Sequence, residues 1–227
     1  MNQISWHSLA WPNIDPRMMS AQRAVIEHIG IKINYTHQEI SHGVWMDHIM
    51  RESKSDIVGF FDIDCVPTNA YIIKECVDYV AEFKTFIGLA QVSNHIGYRN
   101  HIFAAPCFFL MWRDCWLSLR RPSFMAIKRK CDVAENVSFQ AEIAHIPYRA
   151  LYPTHYEKNP PGSIWNLANY GRYGVGTHYQ GGFYHLFNSR TNENIELFAQ
   201  RCSEIMSGNF STDGMISSTS LNNAHAP

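Results

Sequence analysis

Two carboxylates separated by one residue, Asp62 and Asp64, directly follow an unbroken run of apolar or small residues, Ile57-Val58-Gly59-Phe60-Phe61. Carboxylates this close repel and raise each other's pKa unless a cation lies between them. A hard divalent ion with oxygen ligands resolves that repulsion and keeps coordination places for substrate phosphates. The run before them reads as a strand buried on both faces. Pro67 stops it, because proline has no N–H to give to a ladder. On an extended backbone, residues two apart project to the same side, so both carboxylates are expected to meet at the strand's carboxyl end. In an open α/β sheet that end is where ligands bind. The competing reading is that Asp62 and Asp64 only cap the helix beginning near Asn69.

Other elements must bring partners to these carboxylates. Ile4 to Leu9 reads as a first strand, and Asp15-Pro16 as a helix start, with Asp15 capping and Pro16 at the first helical position. Gly30 ends that helix, and Ile31 to Tyr35 alternates as a second strand. Strand, helix and strand in this order imply a parallel sheet. Gly43 to Arg51 reads as a helix. The loop before it, 37–42, follows a strand's carboxyl end, making His42 a candidate ligand contact or simply a surface histidine. Helices are also expected from Asn69 to Phe83 and over Ile195–Met206, with strands at Phe86–Val92 and within Ile102–Trp112.

Further on, Cys131-Asp132-Val133-Ala134-Glu135 opens a helix running to about His145, and its Asp-x-x-Glu spacing fits a capping box. Arg149 to Pro153 is expected as a short strand and Thr154 to Ser163 as a proline-rich loop. Glycines at 171, 174, 176, 181 and 182 suggest a mobile segment that hugs a ligand, without Walker or Rossmann spacing. His185 lies in an aromatic-flanked strand, where a buried, hydrogen-bonded histidine is the plain alternative. Residues 1–206 form one expected domain, and 207–227, rich in serine, asparagine and glycine, a disordered tail.

Phe-Phe-Asp-Ile-Asp-Cys-Val-Pro resembles the Asp-x-Asp motif of glycosyltransferases with the GT-A fold, family 2-like, and the order of elements over residues 3–190 is similar. The resemblance implies a three-layer α/β/α sandwich with a mostly parallel central sheet. It implies Mn²⁺ or Mg²⁺ held by Asp62 and Asp64 against the diphosphate of a nucleotide-sugar donor, with Asp62 also available to the ribose. It implies His185 as a third metal ligand, His42 and residues 8–13 near the donor, and residues 94–101 near the acceptor. A catalytic carboxylate at the start of the 131–145 helix, Asp132 or Glu135, would deprotonate an acceptor hydroxyl, with inversion. Two alternatives stay open: a nucleotidyltransferase on a related scaffold, and a non-catalytic nucleotide- or sugar-binding module. Against the former, residues 8–13 hold neither glycine nor lysine.

Composition narrows the setting. The 227 residues suit one α/β domain, and 46% hydrophobic with 17% charged residues is ordinary for a globular protein. A formal charge of −1 provides no global field for nucleic acid. Five basic residues within 120–130 form either a solvated face or a patch for a polyanionic acceptor. The acceptor, whether glycan, protein or modified nucleic acid, is not specified by these residues, and no protein partner is evident. Six irregularly spaced cysteines read as buried thiols, the opening residues lack a signal peptide's pattern, and no spanning stretch occurs, so a cytoplasmic protein away from membranes is expected.

Overall fold

A computed structural model describes residues 2–93, 101–127, 130–158 and 165–219. In chain order the first elements are β1 (Ile4–Ala10), α1 (Pro16–His28), β2 (Ile33–His37), α2 (His42–Glu52), β3 (Ile57–Asp62), β4 (Cys65–Pro67) and α3 (Ala70–Phe83). They are followed by β5 (Phe86–Val92), β6 (Ile102–Trp112), α4 (Arg113–Ser118), α5 (Glu135–Ile143), β7 (Arg149–Leu151) and β8 (Pro153–Lys158). The last are β9 (Trp165–Asn166), β10 (Arg172–Tyr173), β11 (Val175–Tyr179), β12 (Phe183–His185), α6 (Asn192–Met206) and β13 (Ile216–Ser217).

The local signals act as read. Asp15 caps α1 by accepting from the Arg17 N–H, and Asn69 caps α3 by accepting from the Ile72 N–H. The central sheet has the order β2-β1-β3-β6-β5-β7. Every strand but β6 runs in one direction, since β6 alone pairs antiparallel, with both of its neighbours. Side chains of β3 alternate between two cores. Ile57 and Phe61 pack with α3 on one face, while Val58 and Phe60 pack with α2, α4 and α5 on the other. This is the expected three-layer α/β/α arrangement around a mostly parallel sheet. Gly59 sits where a Cβ would lie 2.1 Å from the Trp6 ring, so only glycine lets that indole cross β3.

A second, antiparallel sheet, β13-β8-β11-β12-β4, corrects three readings. The stretch taken as a proline-rich loop begins with strand β8, and the glycine-rich segment contains β10 and β11. Residues 207–219, taken as part of a tail, fold back, with β13 pairing to β8 and Ser218 buried. Composition misled here because these strands are short, and β8 finds its partners β11 and β13 far along the chain. The expectations for residues 94–100, Lys128, Arg129, 159–164 and 220–227 lie outside the described residues. A third core, built by α1 and α6 over β4, β11 and β12, fastens this sheet to the first. Among the described residues, no helix is long and apolar enough to cross a membrane.

Candidate functional site

Asp62 is the last residue of β3, whereas Asp64 lies in the turn to β4. The two carboxylates therefore do not converge through strand alternation, as the spacing suggested. They converge because β12 pairs antiparallel with β4, setting His185 opposite Cys65, and the Leu186 N–H donates to the Asp64 carbonyl. His185 Nε2 then stands 3.2 Å from Asp64 Oδ1 and 4.0 Å from Asp62 Oδ2. From the other side α2 delivers His42, its first residue, whose Nε2 lies 3.3 Å from Asp62 Oδ1. All four sequence candidates for metal and donor binding thus meet in one place.

The turn itself is held by a residue that no sequence pattern singled out. Gln22, fully buried on α1, donates through Nε2 to the carbonyls of Asp62 and Cys65, and its Oε1 accepts from Ser8. Cys107 of β6 was likewise missed. Ligand atoms of Asp62, Cys107 and His185 fall within 4.8 Å of one another.

Burial pushes the Asp62 carboxyl up, and the neighbouring Asp64 charge adds to this, while His42, His185 and the Cys107 thiol pull the other way. Burial and the same two carboxylates hold the Cys65 and Cys107 thiols well above their ordinary range. Two buried ring nitrogens here, His185 Nδ1 and His42 Nε2, make no hydrogen bond. The oxygen and imidazole donors of Asp62, Asp64 and His185 suit Mn²⁺ or Mg²⁺.

Above the cluster opens a cleft of about 510 Å³, lined by Leu9, Trp11, Asn13, Asp15, His42, Asp62, Asp64, Arg190 and Asn192 among others. It continues into a second hollow of about 440 Å³ past Trp11, Glu39, Ser41 and Arg190. The Arg190 guanidinium sits 5.7 Å from the centre of the Trp11 ring. The floor is anionic, and one wall offers a cation beside an exposed indole. The cleft lies at the carboxyl ends of β1 and β3, where an open α/β sheet binds ligands.

No family model matches this sequence, and no curated protein matches it. Solved structures do. Glucosyl-3-phosphoglycerate synthase from Mycobacterium tuberculosis, in complex with phosphoglyceric acid, aligns at 10% identity over 92% of this chain and 80% of its own, with a TM-score of 0.46. The 4-diphosphocytidyl-2C-methyl-D-erythritolsynthase from Anaerococcus prevotii aligns at 8% identity over 88% of this chain and 95% of its own, with a TM-score of 0.47. Mannosyltransferase PcManGT from Pyrobaculum calidifontis, in complex with GDP-Man and Mn²⁺, aligns at 6% identity and a TM-score of 0.46. That match covers 66% of this chain, which spans only 54% of the mannosyltransferase. These three TM-scores all lie below 0.5.

Neither Asp132 nor Glu135 lines the cleft. Glu135 is fully buried, accepting from the Asp132 N–H at 2.6 Å and facing His101 Nδ1 at 2.8 Å. The expected capping box is half formed. Glu135 reaches back to the Asp132 N–H, but the Asp132 carboxylate accepts from the Val133 N–H, and Ala134, in a left-handed conformation, is the N-cap.

Proposed function

We propose that the protein is a metal-dependent glycosyltransferase that moves a sugar from a nucleoside-diphosphate donor to an acceptor hydroxyl. The observation supporting this reading is the meeting of Asp62, Asp64 and His42, which line a cleft whose wall carries Trp11 and Arg190, with His185 buried behind the two carboxylates. Asp62, Asp64 and His185 would hold Mn²⁺ or Mg²⁺. The bound ion supplies charge neutralisation for the departing diphosphate. Arg190 provides a second positive group for the phosphates, and Trp11 a face for the base. His42, with Nε2 3.3 Å from Asp62 Oδ1, stands at the donor side of the acidic pair. Asp132 is the proposed general base, and single displacement with inversion follows from that assignment. Glu135, enclosed by its own hydrogen bonds, positions the loop that carries Asp132.

Calorimetric titration of UDP and GDP, with and without Mn²⁺, tests the reading. Binding that requires the ion, followed by hydrolysis of one member of a nucleotide-sugar panel, is the expected outcome. Asp132→Asn should then slow transfer by about a hundredfold with donor affinity unchanged. Binding of a nucleoside triphosphate with release of pyrophosphate would instead identify a nucleotidyltransferase. Sugar binding indifferent to nucleotide and metal would identify a binding module.

A further inference from the structure

We infer that Cys107 is a metal ligand, and that Asp62, Cys107 and His185 form a site for a thiophilic divalent cation, zinc foremost, which excludes the manganese or magnesium of the proposed reaction. The inference rests on the proposed metal role of Asp62 and His185, and adds a sulfur donor and a competing ion to it.

The geometry places Cys107 apart from the other cysteines. All six are free and buried, as small apolar residues often are. Cys107 alone among them places its sulfur within 4.8 Å of ligand atoms of both Asp62 and His185. Behind it Gln91 Nε2 donates to Sγ at 2.6 Å. That contact fixes the orientation of the sulfur. The backbone is shaped for this approach. The β5–β6 register jumps from Gly88 opposite Phe109 to Leu89 opposite Ala105, so residues 106–108 form a bulge at Pro106-Cys107-Phe108. Bulges re-aim side chains and concentrate beside functional sites.

The donor atoms of the three residues already lie within 4.8 Å of one another. Donors around a tetrahedral zinc, at about 2.0–2.3 Å from the ion, stand about 3.3–3.8 Å apart, so small side-chain rotations close the site. Binding replaces the thiol proton, which passes to solvent, by a sulfur–metal bond, with no change of oxidation state. Sulfur selects zinc, cobalt or cadmium, while carboxylates favour magnesium and manganese. Two donor sets therefore share Asp62 and His185: one completed by Asp64 for hard ions, the other by Cys107 for thiophilic ones. Their occupants exclude each other.

Cobalt as a spectroscopic stand-in for zinc tests this on the full chain. Wild-type protein should show a saturable sulfur-to-cobalt charge-transfer band that Cys107→Ser removes and Cys65→Ser retains. Zinc should abolish the band at stoichiometric concentration, and manganese only at about tenfold excess or more. No band in folded wild-type protein, or a band that survives Cys107→Ser, would overturn the inference. Should Cys107→Ser not fold, zinc-edge X-ray absorption of the wild type replaces it. One sulfur in the zinc shell supports Cys107, and a shell of oxygen and nitrogen alone overturns it. UDP titration with Mn²⁺ on the wild type separates the two ideas. The band without UDP binding sinks the transferase reading and keeps the thiol ligand, while UDP binding without the band does the reverse.

Discussion

Two clusters in this fold bring histidine to carboxylates, and they are built in opposite ways. Around His101 the protein supplies its own partners. Nδ1 faces Glu135, Nε2 faces Glu142 at 3.0 Å, and the Tyr148 hydroxyl donates to Glu142 at 2.7 Å. Phe139 stacks on the imidazole with ring centres 3.9 Å apart. Around His185 two carboxylates crowd one imidazole, buried ring nitrogens of His185 and His42 lack hydrogen bonds, and the cleft opens above. The first cluster is satisfied within the protein, and the second, with two crowded carboxylates beneath an open cleft, is the candidate binding site, although both pair acids with a histidine.

The largest expected effect breaks the self-satisfied cluster. Glu135→Ala removes one partner of a buried pair and should cost about 3–5 kcal/mol of stability. Denaturant unfolding measures it, and a loss below about 1 kcal/mol would deny the structural role.

Asp64→Ala should do the converse. We expect Mn²⁺-dependent UDP affinity to fall by about a hundredfold or more, roughly 2.7 kcal/mol. The unfolding midpoint should hold or rise, since a repulsion is relieved. Destabilisation with binding intact would invert the assignment of the two clusters.

A titration sharpens the same contrast. Burial opposes protonation of His101, but its hydrogen bonds to Glu135 and Glu142 outweigh this and hold its pKa above the ordinary value. Its stabilising contribution is complete below the unfolded pKa of about 6.5 and fades as pH rises through the folded value. His178 has a hydroxyl partner, Thr154, and burial lowers it to about 4. Its unfolded form takes up the proton first, so stability should fall by about 2 kcal/mol between pH 7 and pH 5 on this account. His178→Asn should flatten that acid limb, and His101→Asn should flatten the alkaline one. Matching slopes in both variants and the wild type would refute the pairing.

The smallest effect concerns Gln22. Gln22→Leu leaves the carbonyls of Asp62 and Cys65 without their donor, and should cost about 1 kcal/mol with roughly tenfold weaker metal-dependent binding. Destabilisation with unchanged binding would show that the turn holds its shape without it.

The sequence by itself determined the parts whose physics is local. Asp15 and Asn69 cap the helices they announce, because a cap acts within three residues. The apolar run 57–61 is a strand buried on both faces, because nothing else satisfies five such side chains in a row. The acidic pair and His185 were legible as chemistry, since like charges beside one another call for a counter-ion wherever they lie.

Only the tertiary structure decided what depends on register between distant segments. It set Asp64 in a turn, brought His185 beside it through β4–β12 pairing, and seated His42 on Asp62 through the start of α2. It also enclosed Glu135, which shares a local motif with Asp132 but meets its main partner, His101, from another strand's entrance. Cys107, Gln22 and Arg190 carried no signal along the chain. Cys107 comes within reach of Asp62 through an antiparallel neighbour and a bulge, and side-chain burial across the whole sheet selects that register.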